Sequence, residues 1–289
     1  HPGVARKNLK FQGKGVTTEI LINVAPRESR AALIENGVLT ELFVERQSRR
    51  GIVSNLYKGR VQRVLPGMQA AFIDVGLERT AFLHVSDIVQ PADAEGSLEA
   101  PRTENIRDLV NEGGDILVQV LKDPLGTKGA RLTTFITIPS RFLVYMPFGN
   151  GVGISARIEA EEERTRLREL MQSFITPGEP GGYIVRTAAE AAEGEALRAD
   201  MLFLRKLWEV LSKKAAYARP GSLVHEDLPL PLRLMRDLVG EGVDRVLVDH
   251  ERTCERMQEF ATTFMPALGA RVERYTGSRP LFDLHGVEE

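Results

Sequence analysis

From Leu56 to Val85 the sequence LYKGRVQRVLPGMQAAFIDVGLERTAFLHV alternates apolar and polar positions in three short runs, broken at Pro66-Gly67 and at Val75-Gly76-Leu77-Glu78. Those breaks are the turn chemistry that joins antiparallel neighbours, so the pattern predicts three consecutive strands. Side chains alternate faces along a strand, which makes position parity a guide to direction. In the second strand Ala71, Ile73 and Val75 share one face, and Ala70, Phe72 and Asp74 the other. In the third, Ala81, Leu83 and Val85 form an apolar face while Thr80, Phe82 and His84 point the opposite way. Phe72 and Phe82 therefore fall on the more polar faces, and Lys58, Arg60 and Gln62 line one side of the first strand. Two rings and several cations on a polar sheet face suit a single-stranded nucleic acid, because bases stack on rings for about 1–3 kcal/mol each and phosphates pair with Lys and Arg. The competing reading turns both rings under a neighbouring loop or domain, where they extend a core. Parity alone divides evenly between the two.

Before this stretch, Glu19 to Val24, Arg30 to Ile34 and Leu39 to Glu45 read as strands with a turn at Gly37, a meander too small to stand alone. Gln47 to Gly51, with Arg46, Arg49 and Arg50, is a basic linker, either a solvated joint or a phosphate contact. After Asp87 a polar insertion runs to about Thr103, followed by a short predicted helix, Glu104 to Asn111. Asp115 to Lys122 and Ala130 to Phe135 supply two more strands, and Lys128 sits in the turn between them, within reach of a phosphate. Five strands with one long connection and Gly-rich turns fit a Greek-key OB barrel.

From Phe135 the pattern changes. Phe142 to Met146 reads as a strand, Gly149 to Gly153 as a hairpin turn, and Glu159 to Phe174 as a helix with Leu167, Leu170, Met171 and Phe174 at helical spacing. The strand Tyr183 to Val185 runs into Arg186-Thr187 before a long helix, about Glu193 to Lys214. A linker from Pro220-Gly221 through the prolines at 229 and 231 leads to a last unit. There Leu232 to Val239 and Glu251 to Phe260 read as helices, Arg245 to Val248 as a strand and Val272 to Tyr275 as extended chain.

Composition narrows the function classes. A 43% hydrophobic content over 289 residues allows two or more ordinary cores, so an α+β multidomain protein is expected. The 38 basic and 40 acidic residues give a net charge of −2, which argues against coating duplex nucleic acid and confines any RNA contact to a local patch. The single Cys254 and the absence of a Cys-x-x-Cys pair exclude an internal disulfide and a zinc-ribbon pattern, and point to a reducing compartment. With neither a membrane-span run nor a signal-peptide pattern, the expected location is the cytoplasm. Residues 1–16 lack periodicity, and Asn8 to Gly13 looks like an altered protease-cleavage linker, the remnant of an expression tag.

Arg186-Thr187 at a strand end is the most pointed constellation. A guanidinium fork holds two phosphate oxygens and a hydroxyl with nearby N–H groups satisfies the rest, although such a pair is more often a surface pair. The Gly149 to Gly153 turn lacks the Gly-Lys-Ser/Thr ending of a phosphate loop. Asp244 and Asp249 flank a strand and raise the question of a metal pair, but a spacing of five sets them on opposite faces of a continuous strand. His84, His225, His250 and His285 stand apart from any nucleophile.

The strings RRGIVSNLYKGRV, VLPGMQAAFIDVG, AFLHVSDI and KDPLGTKGARLTT, continued by LVYMP, IVRTAAE and YTGSRPLFDL, resemble the N-terminal half of the bacterial ribonuclease E/G family, nearest its ribonuclease G branch. The resemblance covers the chain from Thr17 onward. It implies a ribonuclease H-like domain in two parts, 17–50 and 231–289, interrupted by an OB domain of the ribosomal protein S-one type at 51–134 and a 5′-sensor domain at 135–230. It further implies that Arg186 and Thr187 sense a 5′-monophosphate with the Val144 backbone beside the first base, and that Phe72, Phe82 and Lys128 contact RNA. Some members carry an aromatic two or three positions after the first Phe. Val75 stands in that region here, which implies a smaller stacking surface. In the family a nuclease domain with Mg²⁺ on two aspartates, and a Cys-pair motif binding zinc between subunits, follow the YTG-x-x-P-x-F segment. The expectation is a chain that binds single-stranded RNA with a 5′-monophosphate, in RNA processing and decay, without catalytic or metal residues of its own. Neither DNA nor membrane is expected as a partner, and oligomerisation is expected to be weak or lost. The alternative is a self-standing OB-fold RNA-binding adaptor with no end preference.

Overall fold

Three runs of apolar alternation at the start of the chain form an antiparallel meander: β1 (Thr18–Ala25), β2 (Glu28–Glu35) and β3 (Val38–Arg46). Its tight β2–β3 turn puts Asn36 and Gly37 at φ +51° and +79°, the left-handed pair a twisted hairpin demands. The computed structural model describes residues 17–90, 102–240 and 242–288; the leading segment 1–16 and residues 91–101 of the polar insertion lie outside them.

Next come β4 (Leu56–Leu65), β5 (Ala70–Asp74), β6 (Ala81–His84), β7 (Asp115–Lys122) and β8 (Arg131–Thr133). β4 pairs with both β5 and β7, which closes the order β4-β5-β6-β8-β7 into a ring, antiparallel throughout except between β6 and β8. This is a closed five-stranded, OB-like barrel. The faces that parity marks as apolar point inward, with Ala71, Ile73, Ala81, Leu83, Val118 and Leu132 fully buried. The helix expected over 104–111 is instead a single 3-10 turn, Ile106–Asp108. Ile106 is fully buried and its N–H donates to Gln69 Oε1, so a tertiary contact replaces helical continuation.

β9 (Ile138–Pro139), β10 (Leu143–Met146), β11 (Val152–Ile154) and β12 (Gly182–Val185) form a four-stranded sheet in the order β11-β12-β10-β9. Helices α1 (Glu161–Phe174) and α2 (Gly194–Tyr217) pack on it, with Leu167, Met171, Leu197 and Leu204 against Leu143, Tyr183 and Val185. β13 (Ser222–His225) then adds to β4, so barrel and lobe make one compact unit, Gly51–Asp227.

The rest of the chain, α3 (Leu230–Asp237), β14 (Arg245–Val248), α4 (Glu251–Phe264), β15 (Val272–Arg274) and α5 (Leu281–Leu284), joins the opening meander in a second unit. β14 runs parallel to β1, from Glu19 opposite Arg245 to Ile22 opposite Val248, and β15 runs parallel to β14. The sheet order is β15-β14-β1-β2-β3, with α3 and α4 over one face and α5 over the other. The architecture as a whole is mixed α/β. Among the described residues no helix is long and apolar enough to cross a membrane.

Candidate nucleic-acid interface

Phe72 and Phe82 are directly opposite each other on β5 and β6, half-buried, and outside the barrel core. Their rings meet edge to face with centroids 6.3 Å apart at 63°. Neither ring belongs to the buried core of the barrel. Strand register extends the pair into a row. Arg63 of β4 is opposite Phe72, Arg131 of β8 is opposite Phe82, and Lys122 of β7 is opposite Arg131. Paired residues share a face, so two rings lie in the middle of one outer strip with cations at both ends. Arg131 is bonded through Nε and Nη2 to Asp87 Oδ2 at 3.0 and 2.9 Å, which fixes its direction.

His84 lengthens the aromatic line, its ring 6.5 Å from that of Phe82 at 31°. The Ser86 backbone N–H donates to His84 Nδ1 at 3.1 Å, which assigns the proton of the neutral ring to Nε2. Sequence reasoning set His84 on this face and then passed over it. It also missed Arg63, because a bulge between Val61 and Arg63 breaks strand parity at Gln62. Arg131 and Lys122 were visible as polar positions in their strands, but only the barrel register brings them to the rings.

The other cations predicted for this face have different surroundings. Lys58 Nζ donates to the Ala215 carbonyl at 2.9 Å, where an ammonium satisfies the last turn of α2. Arg60 is on the outer face beside Asp74 and pairs with Asp115 at 3.3 Å, so carboxylates offset its charge. Lys128 is exposed at the tip of a hairpin closed by reciprocal backbone bonds with Leu125, at 3.1 and 3.0 Å. The hairpin is seated on the barrel at Gly129, where a Cβ would fall 1.9 Å from the Thr80 carbonyl oxygen. Two residues beyond Thr80, the Phe82 N–H donates to the Ala130 carbonyl at 2.8 Å, so Lys128 is anchored close to the ring-bearing strand.

In the lobe, Arg186 directly follows β12. Its backbone N–H donates to the Phe142 carbonyl at 2.7 Å, and its Nη1 donates to the Ser140 carbonyl at 2.5 Å. Val144 is opposite Ile184, and Arg186 is two positions past Ile184, so the three occupy one open sheet face. Thr187 is exposed, with Oγ1 3.3 Å from Ser155 Oγ. The loop beyond is clamped from α1. Glu163 accepts from the Ala191 N–H at 2.8 Å and pairs with Arg166 at 2.6 Å, and Arg166 Nη1 donates to the Ala192 carbonyl at 3.1 Å. Arg166 above all, with the Ala191 N–H, holds the Glu163 carboxyl down to about 2, against an opposing effect of burial. Ser155, Thr187 and Arg186 offer hydroxyls and a guanidinium beside the Val144 and Ile184 strip, the chemistry a phosphorylated nucleotide calls for.

The two aspartates weighed as a metal pair instead cap opposite ends of β1. Asp244 Oδ2 accepts from the Thr18 N–H at 2.8 Å, while Asp249 accepts from the Val24 N–H at 2.9 Å and from Asn23 Nδ2 at 2.6 Å. Among the described residues no three His, Cys, Asp or Glu side chains come together as a metal site.

Comparison with known proteins bears on this geometry. The Ribonuclease E/G family model matches residues 137–289. A ribonuclease G of Haemophilus influenzae is 50% identical over 273 residues, covering 93% of this chain and 55% of the relative. A ribonuclease G of Escherichia coli is 46% identical over 275 residues, 94% of this chain and 56% of the relative. A ribonuclease E of Escherichia coli is 37% identical over 276 residues, but this chain spans only 25% of it. The chain thus spans about half the length of the ribonuclease G relatives it matches. With a family model covering more than half the chain and identities that run through both the barrel and the lobe, the protein belongs to the ribonuclease E/G family.

Proposed function

We propose that this chain is the RNA-recognition half of a single-strand-specific endoribonuclease of RNA processing and decay. Single-stranded RNA lies along the barrel, bases on Phe72, Phe82 and His84 and phosphates on Arg63, Lys122 and Lys128, with Arg131 held beside the rings by Asp87. A 5′-terminal monophosphate is taken by Arg186 and Thr187, with the first base against Val144. The single observation that carries the reading is the cation-ring-ring-cation row, Arg63, Phe72, Phe82, Arg131, set by strand register on the outside of the barrel. Stacking is indifferent to base identity and needs an unpaired base, which is why a row of this kind selects single strands. The sheet order β15-β14-β1-β2-β3, with parallel strands on one side of β1 and antiparallel strands on the other, supports a ribonuclease H-like role for the second unit as a scaffold.

In this reading hydrolysis, Mg²⁺ and a structural zinc belong to a nuclease domain of the kind the family resemblance implies, not to the residues of the barrel and the lobe. Asp244 and Asp249, the two carboxylates weighed for a metal, are engaged as caps of β1. The partner is RNA in the cytoplasm, neither DNA nor membrane.

Two measurements test the proposal. The chain binds a 12-nucleotide single-stranded RNA and leaves it intact with Mg²⁺; turnover that survives purification refutes the division of labour. It binds the 5′-monophosphorylated form more tightly than the 5′-hydroxyl form, and Arg186→Ala erases the difference. Equal affinity for the two forms in the unaltered chain would leave an OB-fold adaptor with no end preference.

A further inference from the structure

Arg186 bonds through its backbone N–H and through Nη1 to a single turn, Ser140 to Leu143, which links β9 to β10. What holds that turn is a carboxylate on a different element. Asp200 of α2 accepts at one oxygen, Oδ2, from the Ser140 hydroxyl at 2.5 Å and from the Phe142 and Leu143 N–H groups at 3.0 Å each. The turn is further closed by the Ser140 N–H on the Leu143 carbonyl at 2.8 Å. With its donors gathered on Asp200, the turn is left with carbonyls facing Arg186, one to the backbone N–H and one to Nη1.

We propose that Asp200 is a positioning residue of the 5′-end sensor, holding the Ser140–Leu143 turn so that the Phe142 carbonyl anchors the Arg186 backbone and the Ser140 carbonyl directs its guanidinium. The inference rests on the monophosphate reading of Arg186 and deepens it. A carboxylate in a phosphate-binding lobe is otherwise a liability, because its charge repels the ligand. Burial pushes the Asp200 carboxyl above its ordinary range, while the Ser140 hydroxyl, the two N–H groups and the Arg186 charge pull it back. The charged groups facing it are Arg186 from the end of β12 and Arg141 from the turn itself. A half-buried acid near two arginines, with three donors on one oxygen from the element that orients one of those arginines, has a geometric task.

The repulsion gives the test its sign. Asp200→Asn keeps the shape and removes the negative charge. If Asp200 acts only through its charge, the variant binds 5′-monophosphorylated RNA more tightly. If it positions Arg186, the preference over 5′-hydroxyl RNA falls despite the more positive pocket, because an amide cannot gather three donors on one oxygen as a carboxylate does. Measured by fluorescence anisotropy on the 289-residue chain, the ratio of 5′-hydroxyl to 5′-monophosphate Kd should fall at least fivefold, with 5′-hydroxyl affinity within twofold of the unaltered chain. Adding Asp200→Asn to Arg186→Ala should cost nothing further, as expected when one residue acts through the other. A ratio that is unchanged or raised in Asp200→Asn, while Arg186→Ala abolishes it, overturns the role of Asp200 and leaves the sensor reading intact. No preference in the unaltered chain removes both. If Asp200→Asn does not fold, Ser140→Ala carries the test alone: the ratio falls two- to threefold, and an unchanged ratio overturns the proposal.

Discussion

Truncating Phe72 to Ala is the most direct probe of the barrel face, since its cost follows from geometry. Phe72 points outward from β5, while Ala71 and Ile73 on either side are fully buried and carry the core packing of that strand. The substitution leaves the interior as it was and removes the Phe72–Phe82 edge-to-face contact, which at a half-exposed site contributes no more than about 1 kcal/mol to stability. Binding loses one of the two adjacent stacking surfaces, about 1–3 kcal/mol. At about 1.4 kcal/mol per decade, the Kd for single-stranded RNA rises about 5- to 140-fold. Anisotropy titration of a 5′-hydroxyl oligonucleotide isolates the barrel from the end sensor. The slope of log Kd against log salt stays constant, because no phosphate contact is lost, and Phe72→Trp, which keeps a stacking surface, stays near the unaltered affinity. A Kd within twofold of the unaltered chain in a folded Phe72→Ala protein would refute the stacking argument.

Other perturbations separate charge from shape. Arg63→Gln should weaken RNA binding and reduce the salt slope by about 0.7, the value for one phosphate contact on a single strand; an unchanged slope would mean that Arg63 touches no phosphate. Glu163→Gln should make the lobe less stable near neutral pH and indifferent in acid. The folded carboxyl titrates at about 2, below its ordinary 4.5, so its stabilisation is complete above pH 4.5 and is lost as pH falls toward 2. Because the pair is partly solvated, the difference in unfolding free energy is only about 1 kcal/mol, and a gap that persists at pH 2 contradicts the assignment. Gly129→Ala forces a methyl onto the Thr80 carbonyl and should lower stability to urea by about 3 kcal/mol; a loss under about 0.5 kcal/mol would show that the hairpin seat is adjustable.

Much of the barrel was legible because each short strand has one face that must be dry. Alternation from Ala71 to Val85 therefore marked the inward set and put both rings on the opposite parity, but it could not say whether a neighbour covers them, and it gave Ala70, fully buried, to the outer face. It failed where the backbone inserts a residue. Past the bulge at Gln62, counting by twos no longer says which cation stands beside Phe72, and Arg63 took the place that parity gave to its neighbours. Lys58 carried the right parity, but its charge went to the end of α2, a partner 157 residues away. The lobe shows the same limit. Arg186-Thr187 stood out at a strand end, whereas the acid that holds its supporting turn lies on a helix, at a separation no local pattern encodes. Val272 to Tyr275 read as bare extended chain because a strand that pairs in parallel announces nothing about its neighbour.

The pairing of β1 with β14 also sets a timetable for biosynthesis. Glu19 meets Arg245 across 226 residues, and at about 5–20 residues per second a ribosome needs roughly 10–45 s to supply the second strand after the first. Throughout that interval Ile20, Leu21 and Ile22, all sealed in the finished sheet, have only the meander to cover them. The nascent chain thus carries an unpaired strand edge for that interval, while Gly51–Asp227, whose strands pair within that span, can mature ahead of the unit that encloses it in sequence.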